Sequence, residues 1–529
     1  MRRTVAALLL IAAGPAVSGQ APEPRFDPAA WRALVERLAS DEFEGREAGT
    51  PGYDRAAAWT AERFRAAGLK PAGEGGGWFQ PVEMVRQTVD LAASRATLVT
   101  PAGERALRFG PDAAVSARAE LPPAVDGALE FIGYGLHLPS LGHDDFAGRD
   151  LRGKVAVYVR GVPVGLNGLA VADAYGEALP RKLAEAGAAG VVQIFTADGL
   201  PGAWSATAGS GSGSGLYLAG PAGTKPVAGF ALNPALNEAL FAGAPGGFAA
   251  LAPSIDAGEP LPRVPLAGRW RATLSASRAP LSSRNVVGVL PGGDRRLAAE
   301  TVVVSAHLDH LGLGAPGPDG RRPIRRGVMD NASGVASLIQ VADALARGPR
   351  LRRPIVFVAL TAEEKGLLGS RAFAERPPAA AGRPVANINT DMFLPLAPMR
   401  QVVVYGAGES SLGRATEAAA KAVGVRFVPD PRPAEFRFIR SDQYSFVRMG
   451  VPAINSRIEP VPGTPEFDQR RRWDRERYHQ VGDDLSQPIS LEGAMTFNRF
   501  LLGTVRRVAD APERPSWNRE SHFATKAKR

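Results

Sequence analysis

The sequence predicts an α/β fold in which a central mixed sheet is flanked by helices. Residues 301–307 (TVVVSAH) and 354–364 (PIVFVALTAEE) are apolar runs typical of buried strands, and residues 385–391 (VANINTD) repeat the pattern. Between the first two runs, residues 332–347 have the apolar spacing of a helix, which stops at a Gly-Pro pair. Strands that alternate with helices favour the α/β class.

Metal-binding side chains stand where each of these strands is expected to stop. They are His307 and Asp309, then Glu363 and Glu364, and finally Asp391. Ligands of open α/β sheets bind outside the carboxyl ends of the strands, so three such ends define a site. Carboxylates and imidazoles, in a chain without cysteine, are the donors that suit zinc or a similar divalent ion.

Two further candidates, Asp330 before the predicted helix and His479, bring the candidate metal ligands to five with His307, Glu364 and Asp391. A single catalytic zinc takes three protein ligands and keeps one position open, so five ligands suit two ions. Asp330 is the natural bridge, with the ions roughly 3.5–4 Å apart and a water between them. Each residue alone could be a surface pair, a helix start or a cap, but their coincidence at successive strand ends favours a metal site.

Six segments together resemble the secreted dizinc aminopeptidase family, whose relatives include bacterial leucyl aminopeptidase, glutamate carboxypeptidase II and the glutaminyl cyclases. The motifs follow the family's order within about 283–485, and residues 41–71 resemble its N-terminal segment. The six are SAHLDHLG, GVMDNASGVASLIQVADAL, ALTAEEKGLLGS, NINTDMF, RSDQYSFVRMGVPAI and YHQVGDDLS.

The resemblance implies a zinc-exopeptidase fold and a role for each site residue. It implies His307 and Asp391 on one Zn²⁺, Glu364 and His479 on the other, and Asp330 as the bridge. Glu363 would be the general base, which its position beside a ligand glutamate also allows, and Asp309 would orient the His307 ring.

The expected activity is hydrolysis of the N-terminal bond of peptide substrates by a zinc-dependent aminopeptidase. The alternatives are a glutaminyl cyclase-like acyl transfer, a carboxypeptidase and an inactive receptor-like protein. One departure concerns Gln443, where many relatives have histidine, and it leaves the ligand set complete. His310 is interpreted as a loop histidine without a direct role.

The N-terminus predicts a secreted or periplasmic protein. Residues 1–3 are a basic start, residues 5–13 (VAALLLIAA) form a short apolar core, and small residues follow. This is the plan of a signal peptide, and no later stretch is apolar and long enough to span a membrane. The absence of cysteine excludes disulfides and a lipid anchor on cysteine.

Charge does not point to nucleic acid. The formal net charge of the 529 residues is +10, but arginines are scattered through the chain rather than gathered in a patch. The exception is 470–477 (RRRWDRER), which we interpret as a solvated loop before His479. The oligomeric state is left open.

Breaks in the pattern predict several units, among them a β-rich insert that resembles a protease-associated domain. The final polar residues, from 514 onward, are expected to be disordered. The predicted units are a signal peptide (1–19), the N-terminal part of the peptidase domain with connecting strands (20–123), the insert (124–265), the zinc peptidase catalytic domain (266–512) and a polar tail (513–529).

Overall fold

The computed structural model describes residues 25–200, 202–209, 213–220 and 227–528, so the predicted signal peptide lies outside the described residues. No helix within these ranges combines the length and apolarity needed to cross a membrane. The strands are β1 (Lys70–Pro71), β2 (Phe79–Val89), β3 (Arg95–Thr100), β4 (Gly103–Leu107), β5 (Ala113–Val115), β6 (Ala124–Phe131), β7 (His137–Leu138), β8 (His143–Asp144), β9 (Val155–Val159), β10 (Gly190–Ile194), β11 (Ser214–Leu218), β12 (Ala228–Leu232), β13 (Arg269–Thr273), β14 (Ala276–Leu290), β15 (Glu300–His307), β16 (Ile355–Leu360), β17 (Arg383–Asn389), β18 (Gln401–Tyr405), β19 (Arg426–Val428) and β20 (Ala453–Ile458).

The α-helices, given in chain order, complete the set of regular elements. They are α1 (Pro28–Leu38), α2 (Pro51–Ala66), α3 (Gly168–Asp173), α4 (Leu179–Glu185), α5 (Trp204–Gly209), α6 (Asn237–Leu240), α7 (Ala252–Asp256), α8 (Ser333–Ala346), α9 (Leu368–Glu375), α10 (Leu412–Ala422), α11 (Gln443–Arg448), α12 (Pro465–Glu476) and α13 (Leu491–Asp510).

The larger sheet confirms the predicted mixed α/β class. Its strand order is β11-β2-β14-β16-β15-β17-β20-β18-β19, with β1 paired to β14. The central strands β16, β15, β17 and β20 are parallel, whereas β14 and β18 flank them in the antiparallel sense. The parallel strands are buried on both faces, which explains why they appear in the sequence as continuous apolar runs.

Alternate residues of β15 pack into different hydrophobic clusters, one on each face of this sheet. Val302 and Val304 join the cluster that contains residues of α1, α2, α8 and α13. Val303 belongs to the opposite cluster, with Phe373 of α9 and Phe446 of α11. Helices on both faces of a largely parallel sheet leave its carboxyl edge free for a site.

A second sheet has eight strands in the order β4-β3-β13-β6-β9-β10-β12-β5 and packs around its own hydrophobic cluster. Strands β6, β9, β10 and β12 are parallel to their neighbours. The sheet also takes β3, β4, β5 and β13, which lie on either side of the predicted insert at 124–265. The identification of that insert as a protease-associated domain stays a prediction.

The C-terminal residues tie the two sheets together, so the expectation of a disordered tail is wrong for the described part. Phe523 is fully buried in the cluster of α9 and α11. Asp173, at the end of α3, accepts hydrogen bonds from Tyr444 Oη at 2.6 Å, His522 Nε2 at 3.1 Å and Lys526 Nζ at 2.6 Å. An aspartate of the second unit is therefore held by α11 and by the tail.

Candidate metal centre

The predicted ligands lie at the carboxyl ends of three adjacent parallel strands. His307 is the last residue of β15, Glu363 and Glu364 follow β16, and Asp391 follows β17. Since β15 pairs in parallel with both β16 and β17, the three ends meet at one edge. The strand-end argument thus brings these side chains together as expected.

Asp330 lies in the turn that leads into α8, close to where the sequence predicts the helix to begin. The carboxylate of Asp483 accepts hydrogen bonds from the main-chain nitrogens of Met329 at 2.9 Å and Asp330 at 3.1 Å. Asp330 is buried, so its carboxylate is fixed at the centre of the site.

The two oxygens of Asp330 face two different imidazoles. His307 Nε2 lies 3.1 Å from Asp330 Oδ1 and 3.1 Å from Asp391 Oδ1. His479 Nε2 lies 3.2 Å from Asp330 Oδ2 and 3.1 Å from Glu364 Oε2. The five side chains thus form two groups that share one carboxylate.

His310 belongs to the second group, which corrects its interpretation as a loop histidine outside the site. Its Nδ1 lies 2.7 Å from Glu364 Oε1, and the residue is fully buried. His310, Asp330 and Glu364 are also close enough together to hold one ion, as are His307, Asp330 and Asp391. The LDH sequence after His307 carried no signal that could separate a contact of Glu364 from an ordinary loop histidine.

Asp309 and Glu363 lie beside the ligand groups. The Asp309 carboxylate accepts from the main-chain nitrogens of Glu363 at 3.0 Å and Glu364 at 3.3 Å. His307 Nδ1 is 3.1 Å from the main-chain oxygen of Asp309 and 3.9 Å from its carboxylate. Asp309 therefore positions the glutamate pair with its carboxylate and faces the His307 ring with its carbonyl.

The clustered carboxylates favour positive charge on the imidazoles. Burial lowers the pKa of His307, but Glu363, Asp330 and Asp391 outweigh burial and raise this pKa well above its usual value. Burial also opposes the rise at His479, where hydrogen bonds from Asp330 and Glu364 raise the pKa to about 10. Protons on the two rings thus offset negative charge that bound cations would also offset.

Glu363 differs from the ligand carboxylates in its surroundings. It is half-buried, while Asp309 and Asp330 are buried. Burial raises the pKa of Glu363 well above its usual value; His307 opposes this shift, while Asp391 and Glu364 add to it. A carboxylate of raised basicity that reaches an opening is suited to accept a proton near neutral pH.

The donor set fits two divalent ions on chemical grounds. Imidazole nitrogens and carboxylate oxygens in groups of three match the ligands of catalytic zinc, which leaves a position open. One group would hold an ion with His307, Asp391 and Asp330, the other with Glu364, His479 and Asp330. These are the roles that the resemblance implies, and His310 is the addition made by the structure.

Two neighbouring segments differ from simple sequence expectations. Gln443 is fully buried, and its side chain donates to the main-chain oxygen of Phe438 at 2.8 Å and accepts from Asn389 at 3.0 Å. The residues 470–477, interpreted as a solvated loop, instead belong mostly to α12, with Arg470 buried. That helix leads to Tyr478, whose ring stacks on His479 at 3.9 Å.

Comparisons with known proteins agree with this fold. The chain matches the aminopeptidase from Aneurinibacillus sp. strain AM-1 with a TM-score of 0.51 and 20% identity, over 92% of this chain and 95% of that one. It also aligns with a zinc aminopeptidase from Bacillus subtilis at 18% identity and a TM-score of 0.43, over 94% of this chain and 97% of that one.

Sequence comparisons cover smaller parts of the chain. Identity to the probable lipoprotein aminopeptidase LpqL of Mycobacterium tuberculosis is 34% over 102 residues, which are 19% of this chain and 18% of that protein. Residues 285–505 match the family described as Peptidase family M28. This span holds all five candidate ligands as well as Asp309 and Glu363, and it is a domain of peptidase family M28.

Proposed function

We propose that the chain is a zinc-dependent aminopeptidase that removes N-terminal residues from peptides with two ions at the site. The observation that carries the proposal is the position of Asp330, whose two oxygens lie 3.1 Å from His307 Nε2 and 3.2 Å from His479 Nε2. One buried carboxylate shared by two imidazole-carboxylate groups is an arrangement for two cations. The aminopeptidase names of the matched proteins support the choice of reaction.

The residues around the ligands supply the remaining chemistry. Bound divalent ions lower the pKa of water and stabilise negative charge that develops on a carbonyl oxygen. Glu363 accepts the proton of the attacking water and passes it to the leaving amine. Asp309 holds the main chain of Glu363 and Glu364 with two hydrogen bonds, so the base and the neighbouring ligand keep a fixed relation.

The charge of the site supports binding of a free N-terminus. An α-ammonium group is a cation, and Glu363 and Asp391 are carboxylates at the rim of the two ligand groups. A carboxypeptidase would need cationic side chains for the terminal carboxylate, usually arginine forks. The carboxylate-rich site therefore favours recognition of the amino end.

We propose in addition that the protein is exported. The basic start and apolar core of residues 1–19 support a signal peptide, and the name of the mycobacterial relative includes the word lipoprotein. Residues 124–265 would form a protease-associated domain beside the catalytic unit. Detection of the mature N-terminus after residue 19 in the secreted or periplasmic fraction tests the export proposal.

The activity is tested with one peptide in three forms: free, N-acetylated and C-terminally amidated. We expect the free and amidated peptides to be hydrolysed and the acetylated one to be resistant, with activity lost on chelation and restored by zinc. Cleavage of the acetylated peptide but not the amidated one would instead assign a carboxypeptidase. Ring closure of an N-terminal glutamine without hydrolysis would assign a cyclase, and no reaction with any substrate would indicate a receptor-like protein.

A further inference from the structure

Two arginines are buried near the site, and the hydrogen bonds of the described residues leave much of their guanidinium groups without an acceptor. Arg457, on β20, and Arg470, on α12, are each 4% exposed. Arg470 Nε donates to Asp474 at 3.1 Å, but its Nη1 and Nη2 donate to no group in the described part of the chain. The same holds for Arg457 Nε and Nη1. Buried donors of this kind normally have partners.

The surrounding charges leave an excess of positive charge. Glu459, which is 6% exposed, is influenced by four arginines: Arg432, Arg437, Arg457 and Arg470. The other nearby carboxylates are Glu435, which pairs with both Arg432 and Arg437, and Asp474. Four arginines thus face three carboxylates.

Repulsion between the two buried arginines is visible in their electrostatics. Burial lowers the pKa of Arg470 to about 10, and Arg457 lowers it further in the same direction, against Asp474 and Glu459. Two guanidinium groups held close together without a shared acceptor are unfavourable unless an anion lies between them.

Arg457 lies on the side of the sheet that supports the metal centre. It is two residues beyond Asn455 on β20, so both side chains face the same side. Asn455 Oδ1 accepts from the main-chain nitrogen of Asp391 at 3.2 Å. Arg457 is therefore one step nearer the carboxyl edge, beside the segment that follows Asp391.

Arg470 approaches the same region from α12. Three residues later Trp473 packs its ring 6.2 Å from that of Tyr478, which stacks on His479. A cavity of about 160 Å³ is lined by Arg470 and Glu459, with Leu394 and Leu396 among its apolar walls. Arg400 and Glu466 also line it.

We propose that Arg457 and Arg470 form a binding site for a small monoanion of the carboxylate or halide class. The planar guanidinium forks match a carboxylate, and one negative charge offsets the excess of positive charge. The anion could be free in solution or be the side-chain carboxylate of an N-terminal glutamate or aspartate in a peptide. The second source rests on the proposed aminopeptidase function, whereas the first does not.

The free-anion arm measures thermal unfolding of the whole protein. Sodium chloride or sodium acetate replaces sodium gluconate, whose anion is too bulky for the site, at constant ionic strength. We expect the unfolding midpoint of the wild type to rise with chloride or acetate and that of Arg457→Met to stay constant. Arg472→Met, which removes an exposed arginine of the same helix, is the matched control and should respond as the wild type does.

The substrate arm compares kcat/KM for peptides that begin with glutamate and with glutamine. A peptide carboxylate bound by the two arginines should be preferred by about tenfold or more, and Arg457→Met should remove the preference while glutamine peptides are still cleaved. If Arg457→Met does not fold, Arg470→Met replaces it.

Either response supports the site and identifies its source. A wild type that shows neither an anion-dependent midpoint nor a preference for glutamate overturns the proposal, whatever the variants do. If no peptide of any kind is cleaved, the proposed function has failed, and the unfolding arm alone then decides whether the anion site exists.

Discussion

Replacing Glu363 with glutamine should abolish most turnover while leaving the metal centre loaded. The Glu363 carboxylate is outside both ligand groups, and the hydrogen bond to Asp309 comes from the main-chain nitrogen of residue 363, which the substitution retains. Loss of a general base lowers the rate by about 10²- to 10⁴-fold, which is about 3–5 kcal/mol of activation free energy. The metal content should stay at the wild-type value.

Glu364→Gln is the matched comparison for this prediction. Glu364 contacts His310 at 2.7 Å and His479 at 3.1 Å, so its substitution should reduce bound metal. Both variants are assayed for kcat on a good peptide substrate and for metal per chain by elemental analysis. Near-normal kcat in Glu363→Gln, or loss of metal from it, would refute the separation of base and ligand.

The remaining predictions concern residues that act through others. Asp309→Asn should weaken metal binding by about 10- to 100-fold, because one amide oxygen replaces two carboxylate acceptors for the nitrogens of Glu363 and Glu364; competition with a chelator measures it, and unchanged affinity would contradict the assigned contact. Asp173→Asn should reduce the free energy of unfolding by about 2 kcal/mol at pH 7, measured by urea denaturation. Burial opposes the pKa shift of Asp173, but its hydrogen bond from His522 and the charge of Lys526 lower the pKa to about 2, so this stabilisation is present above about pH 4 and disappears as the pH falls toward 2. A difference between wild type and Asp173→Asn that persists at pH 2 would contradict this account.

Much of the site was predictable because it follows from strand ends. The buried parallel strands β15, β16 and β17 are continuous apolar runs, and each is followed within a few residues by a ligand candidate. Parallel pairing then places those residues at one edge without further information. The helix predicted at 332–347 is observed as α8, which puts Asp330 in the turn before it.

The features that were missed depend on contacts between distant segments. His310 joins the site only because β15 and β16 place it 2.7 Å from Glu364. The polar tail packs because Phe523 finds an apolar cluster and Lys526 finds Asp173, more than 300 residues earlier. Local composition contains no sign of such partners, and it likewise favoured a solvated loop where Arg470 is buried on α12.

The number of metal ions per chain tests the central claim most directly. Protein purified in the presence of zinc, freed of loosely bound metal by gel filtration, is analysed for metal and protein in the same sample. Two ligand groups that share Asp330 predict about two ions per chain, falling to about one when His307→Ala removes a ligand of the first group. A wild-type content of no more than one firmly bound ion, with full activity, would contradict the two-ion centre.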